Sequence, residues 1–127
     1  MRWTRRVWTT LAAVSGFIAV AAGAFAAHGM HDPLGQELLR TGSTYEFMHA
    51  LATLACAALV ATSMPRARFA PALFLVGTLL FSGSLYALAF GAPRLAGVIT
   101  PIGGLCFLAG WAVLAWATAT SKREARG

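Results

Sequence analysis

FAPALFLVGTLLFSGSLYALAFGAP, residues 69–93, runs from Arg68 to Arg94 without a single charged side chain. A helix rises about 1.5 Å per residue, so roughly 20 apolar residues cross a hydrocarbon core about 30 Å thick. This stretch is long enough to do so. Residues 7–31, 47–65 and 95–121 also lack Asp, Glu, Lys and Arg, and all fourteen charged residues fall outside the four runs. Hydrophobic content is 58% and charged content 11%, whereas a soluble globule carries about a quarter charged residues. The expectation is one all-α domain over 1–127, an integral membrane four-helix bundle with helices at about 7–27, 45–64, 69–90 and 101–120.

The net charge of +6 does not point to nucleic acid. The basic residues cluster at the ends of apolar runs, as topology signals do, and form no basic face beside a recognition element. Arg2, Arg5, Arg6, Arg66, Arg68, Lys122, Arg123 and Arg126 share one side of the predicted threading, while Arg40 and Arg94 fall on the other. Basic loops stay inside. Both termini and the 64–68 turn are therefore expected in the cytoplasm, and the 28–44 and 91–100 connections outside a cytoplasmic (inner) membrane. A signal peptide is the rival reading of the first run, because three arginines precede it and Ala24-Phe25-Ala26 fits a cleavage site. The run is long for that role, and Ser15, Ala19, Gly23 and Ala27 recur every fourth residue, a small-residue stripe suited to helix packing in lipid. A retained helix is the expectation.

Trp3 and Trp8 suit the inner interface, and the first helix should end near His28-Gly29. Asp32-Pro33 reads as an N-cap followed by proline in the first turn. Leu34, Leu38 and Leu39, with Gln36, Glu37 and Arg40 between them, predict a short amphipathic outer helix between helices 1 and 2, ended by Thr41-Gly42. Ser43-Thr44-Tyr45-Glu46 has capping-box form and would open helix 2. Pro65 would stop it, and Thr100-Pro101 would start helix 4. Gly23, Gly83, Gly103, Gly104 and Gly110 are the candidate packing glycines.

Several segments occur in the order of a known family: Gly23-Ala24-Phe25-Ala26-Ala27-His28; Thr41-Gly42 with Tyr45 and His49; Leu80-Phe81-Ser82-Gly83-Ser84-Leu85-Tyr86; Thr100-Pro101-Ile102-Gly103-Gly104; and Phe107-Leu108-Ala109-Gly110-Trp111. Over about residues 10–120 the chain resembles the YgdD-like small inner-membrane proteins, domain of unknown function 423, related to transmembrane protein 256. Ala26 departs from the pattern, which usually has glycine there. The resemblance implies four membrane helices and a retained first helix, and it supplies no mechanism.

The polar residues His28, Tyr45, Glu46, His49, Tyr86 and Thr100 are expected to converge at the outer mouth of the bundle, with His49 and Tyr86 about 6 Å inside its boundary. Intramembrane ionisable groups default to a functional hypothesis; the alternative is that they only join helices or snorkel. His28-x-x-His31 and Glu46-x-x-His49 have the donors for zinc or iron. A di-iron bundle, however, needs a second Glu-x-x-His, and no metal or haem is assigned. Cys56 and Cys106 lie at different depths and form no C-x-x-C, so they read as small fillers. Ser82-Gly83-Ser84 and Gly103-Gly104 read as packing elements, with an anion at the start of helix 4 near Arg94 as the alternative.

No enzymatic activity and no cofactor are expected. The expected role is structural or accessory, in contact with lipid and with another membrane protein or a second copy of the chain. An oligomeric small-molecule transporter is the alternative. Proton- or cation-coupled carriers usually bury an acid at mid-membrane, and no acidic residue lies deeper than Glu46. A metal-binding membrane protein using the outer histidines is a further alternative.

Overall fold

The computed structural model describes residues 3–121. It consists of four long helices, α1 (Arg5–His28), α2 (Pro33–Ala61), α3 (Ala70–Ala89) and α4 (Ile99–Ala119). Short 3-10 turns at Pro65–Phe69 and Arg94–Val98 lead into α3 and α4. Among the described residues there is no strand, and all four helices are long and apolar enough to cross a membrane. This is the expected all-α four-helix architecture. Arg2, Lys122, Arg123 and Arg126, half of the basic set placed inside, lie outside the described residues.

Consecutive helices pack together, α1 on α2, α2 on α3 and α3 on α4. The middle pair is the more enclosed: over an apolar 18-residue stretch of each, 39% of α2 and 33% of α3 is buried, against 17% for α1 and for α4. At one end Arg66 donates to the carbonyl and the hydroxyl of Thr120, at 3.3 and 2.7 Å, and lies 5.1 Å from the Trp116 ring centroid. At the other end the rings of Phe25 and Phe90 meet at 5.7 Å. The helices thus alternate in direction.

α1 meets its neighbours through small residues, as expected, but the stripe is differently spaced. Ala12, Ala19 and Ala26 are buried, seven residues apart, while Ala27 is exposed. A four-residue step overshoots the helical turn by about 40° each time, whereas a seven-residue step drifts only about 20°. Ala26, the departure from glycine, is packed at 1% exposure.

The predicted amphipathic segment at residues 34–40 is helical, but it is not a separate helix. α2 runs unbroken for 29 residues from Pro33, with the Asp32 side chain capping Gly35 N–H at 2.9 Å as the sequence indicated. The apparent stop at Thr41-Gly42 and the capping box at Ser43–Glu46 both lie inside it. Their polar groups serve other helices: Ser43 Oγ donates to Ala19 O at 2.6 Å, and Glu46 faces α1 and α3. A break here would also leave backbone groups without partners inside lipid. Along α2 the residues Gly35, Leu39, Gly42, Glu46, His49, Thr53 and Cys56 are buried, alternating steps of four and three. That is the seam expected of left-handed helix packing.

The apolar core joins Ala52, Cys56, Ala67, Ala70, Phe74, Phe107 and Ala117, and both cysteines are free thiols. Gly103 presses on the backbone of Phe81, and a Cβ on Gly110 would sit 2.5 Å from the Phe74 ring. A Cβ on Gly23 would reach Ser43 Oγ at 2.9 Å. Gly83 is a correction: a Cβ there meets nothing within 4 Å, and at Gly104 it meets only Phe81 at 3.9 Å. Two close approaches between helices carry no sequence signal that was read, Gly42 against the Tyr86 ring and Gly77 against the Phe107 ring.

Candidate functional site

Glu46 occupies position 14 of the 29 residues of α2, about 20 Å from either end, and is 5% exposed. Its Oε2 accepts from Ser15 Oγ of α1 at 2.9 Å, and its Oε1 accepts from the Tyr86 hydroxyl of α3 at 2.8 Å. One carboxylate thereby ties three helices. Tyr86 sits near the C-terminal end of α3, but helical side chains lean toward the N-terminus, so its phenol reaches back to mid-bundle. Ser82, one turn earlier, donates to Gly42 O at 2.7 Å and closes the same seam.

His49 follows three residues later on the same face and is also buried. Its Nε2 accepts the Trp111 indole N–H at 3.0 Å, and Nδ1 lies 2.6 Å from Tyr45 O. An accepting Nε2 places the ring proton on Nδ1, which donates to that carbonyl. The imidazole lies flat on Phe107, centroids 3.6 Å apart, with Phe74 5.4 Å away. Tyr45 joins through its ring, 4.8 Å from Phe81, and is itself 40% exposed.

The polar cluster is therefore at mid-height and not at the outer mouth, because the placement of Glu46 and His49 rested on a helix start at residue 45 that does not exist. His28 does not belong to it. It ends α1, exposed, far along the bundle from His49. His31 is exposed in the connection beyond, outside any helix, so the two do not share a helical face. Thr100 does not cap α4, whose N-cap is Val98; its hydroxyl pairs with Ser84 Oγ at 2.5 Å. Gly103 is the fifth residue of α4, past the free amides an anion would need. Glu46 and His49 have separate partners, and among the described residues no three His, Cys, Asp or Glu side chains group to hold a metal ion.

On the Arg5 side of this cluster lies a cavity of about 10 Å³, lined by Trp8, Leu11 and Ser15 from α1, His49 and Thr53 from α2, and Phe74 and Thr78 from α3. That volume is about what one water requires. Ser15, Thr53, Thr78 and Trp111 were not singled out as site residues. For Thr53 the signal was present, since it continues the four-three seam of α2. The indole of Trp111 and the hydroxyl of Thr78 come from other helices and carry no local mark.

The family described as "Protein of unknown function (DUF423)" matches residues 22–104. A UPF0382 membrane protein of Haemophilus influenzae is 48% identical over 118 residues, covering 91% of this chain and 95% of the relative. The UPF0382 inner membrane protein YgdD of Escherichia coli K12 is 41% identical over 125 residues, 95% of each. A UPF0382 membrane protein of Staphylococcus epidermidis is 39% identical over 116 residues, 89% of this chain and 95% of the relative. No solved structure matches the chain.

Proposed function

The chain belongs to the DUF423 family of membrane proteins, and from that premise we propose that it is a non-enzymatic accessory subunit of the inner membrane. In this reading both termini face the cytoplasm, and the chain stands among lipids against another membrane protein or a second copy of itself. The observation that carries it is the division of labour among the helices. α2 and α3 are locked by hydroxyls, a carboxylate and interleaved rings, while α1 and α4 turn most of their span outward. Leu105 and Leu108 of α4, and Phe17 and Val20 of α1, are each more than 60% exposed. Such faces suit lipid or partner helices. The test is purification in mild detergent followed by intact-complex mass spectrometry. A stoichiometric protein or a second copy supports the reading; a monomer carrying a small organic molecule refutes it.

A second reading, a small-molecule transporter acting as an oligomer, is favoured by one observation. Glu46 is a buried carboxylate midway along α2, and carriers of that class usually bury an acid within the membrane.

A further inference from the structure

A pocket of about 370 Å³ opens where the connection between α2 and α3 meets the end of α4, lined by Ser63, Met64 and Arg66 on one side and Ala117, Thr120 and Ser121 on the other. That is the size of a small-molecule site. Arg66 stands in its wall, held by bonds from Nη1 to the Thr120 carbonyl and hydroxyl and by the Trp116 ring 5.1 Å away. Nη1 is spent on these contacts, so Nε and Nη2 keep their donors for a ligand. Among the described residues the guanidinium enters no ion pair. Asp32 and Glu37 lie at the far end of α2, and Glu46 is buried midway. Arg68 lies against the Phe69 ring, 4.8 Å from its centroid, and does not line the pocket.

The rest of the wall adds donors. Ser63 follows the C-cap of α2 and is the one residue other than glycine with a positive φ, 92°, among the described residues. That place usually falls to glycine, which takes the left-handed conformation without strain. A serine there bears the strain and gives the pocket a hydroxyl that glycine would lack. Neither its hydroxyl nor that of Ser121 has a hydrogen-bond partner among the described residues. Two helices also end here, and open carbonyls at such ends repel an anion. Three of these carbonyls are already engaged. Leu59 O accepts the Thr62 and Met64 N–H groups at 3.1 and 3.0 Å, Trp116 O accepts Thr120 N–H and Oγ1 at 3.0 and 2.7 Å, and Thr120 O accepts Arg66.

We infer that Arg66, Ser63 and Ser121 form a binding site for one phosphate group, carried by an anionic phospholipid or present as the free ion. A guanidinium fork matches two phosphate oxygens, and charge-assisted bonds of this kind are the strong ones. The serine hydroxyls donate to the oxygens that remain. The setting fits a headgroup: the pocket lies at one end of the bundle beside Trp116, which is half exposed, and indole rings sit at headgroup level. Beyond Ser121 the sequence adds Lys122, Arg123 and Arg126 against Glu124, a net positive charge. Basic pockets between membrane helices take anionic headgroups. The site holds whichever side of the membrane this end faces, and whether or not the chain is an accessory subunit.

The test uses the full-length protein in a neutral detergent with two probes. One is micelles doped with phosphatidylglycerol or, in parallel, phosphatidylcholine, read by intact-complex mass spectrometry. The other is inorganic phosphate, read by calorimetric titration. If a lipid supplies the phosphate, one phosphatidylglycerol per chain is retained in preference to phosphatidylcholine, and inorganic phosphate gives no heat. If the free ion is the ligand, phosphate titrates at one per chain and neither lipid is preferred. In either case Arg66→Gln should weaken binding about tenfold or more. Arg68→Gln removes the same charge beside the pocket and should change binding by about twofold at most. Arg66→Gln also loses the bonds to Thr120, so Ser63→Gly combined with Ser121→Ala is the second variant. It leaves those bonds intact, relieves the φ of Ser63, and should weaken binding about threefold or more. Folded wild-type protein that retains neither probe overturns the inference. Equal losses in Arg66→Gln and Arg68→Gln do so too, since they mark surface charge without a site.

Discussion

Trp111 donates its indole N–H to Nε2 of His49 at 3.0 Å, and this contact joins α4 to α2, two helices that share no broad backbone interface. Trp111→Phe keeps the ring and removes the bond. It should destabilise the protein by about 0.5–2 kcal/mol, the range of interhelical hydrogen bonds in membranes, measured by unfolding in mixed micelles. Leu105→Ala, on the outward face of the same helix, should cost clearly less.

Gly103 and Gly83 should behave oppositely. A methyl on Gly103 drives into the Phe81 backbone, whereas one on Gly83 meets open space. Gly103→Ala should cost about 1–3 kcal/mol, as overpacking does, and Gly83→Ala should be neutral or slightly stabilising. Equal melting temperatures for the two variants would contradict the packing described for α3 and α4.

Glu46 should couple Ser15 to Tyr86. Ser15→Ala and Tyr86→Phe each remove one bond to the same carboxylate, so their double mutant should depart from additivity by at least about 0.5 kcal/mol. His28→Ala should be silent, and in combination with His49→Ala the losses should simply add, because His28 is exposed at the end of α1.

Reporter fusions after Ala67 and at Gly127 should report the cytoplasm, and one near Gly35 the outer side. The prediction follows from eight basic residues on one side against two on the other. A Gly127 fusion on the outer side with the Ala67 fusion inside would refute an even number of crossings between them.

The four spans were legible because charge is costly in lipid, and the gaps between charges mark them directly. Asp32-Pro33 was legible as a helix start because a cap acts within one turn of sequence. Residues 41–46 misled for the same reason: threonine, glycine and serine break helices in water, where they compete locally for the backbone. Here Ser43 bonds to Ala19 and Gly42 lies under the Tyr86 ring, partners 24 and 44 positions away. Gly83 misled in another way. Its regular spacing with Ala87 and Gly91 describes a face, but spacing does not say which face meets a neighbour.

The continuity of α2 has a mechanical consequence. A helix of 29 residues is about 43 Å long, some 13 Å more than the hydrocarbon it crosses. The excess must be taken up by leaning or by standing proud of the membrane. Whichever it does, Pro33–Arg40 and Glu46 belong to one stiff rod, with no joint between them. A displacement of the Pro33 end is therefore carried along the rod to the buried carboxylate, whose partners Ser15 and Tyr86 stand on two other helices.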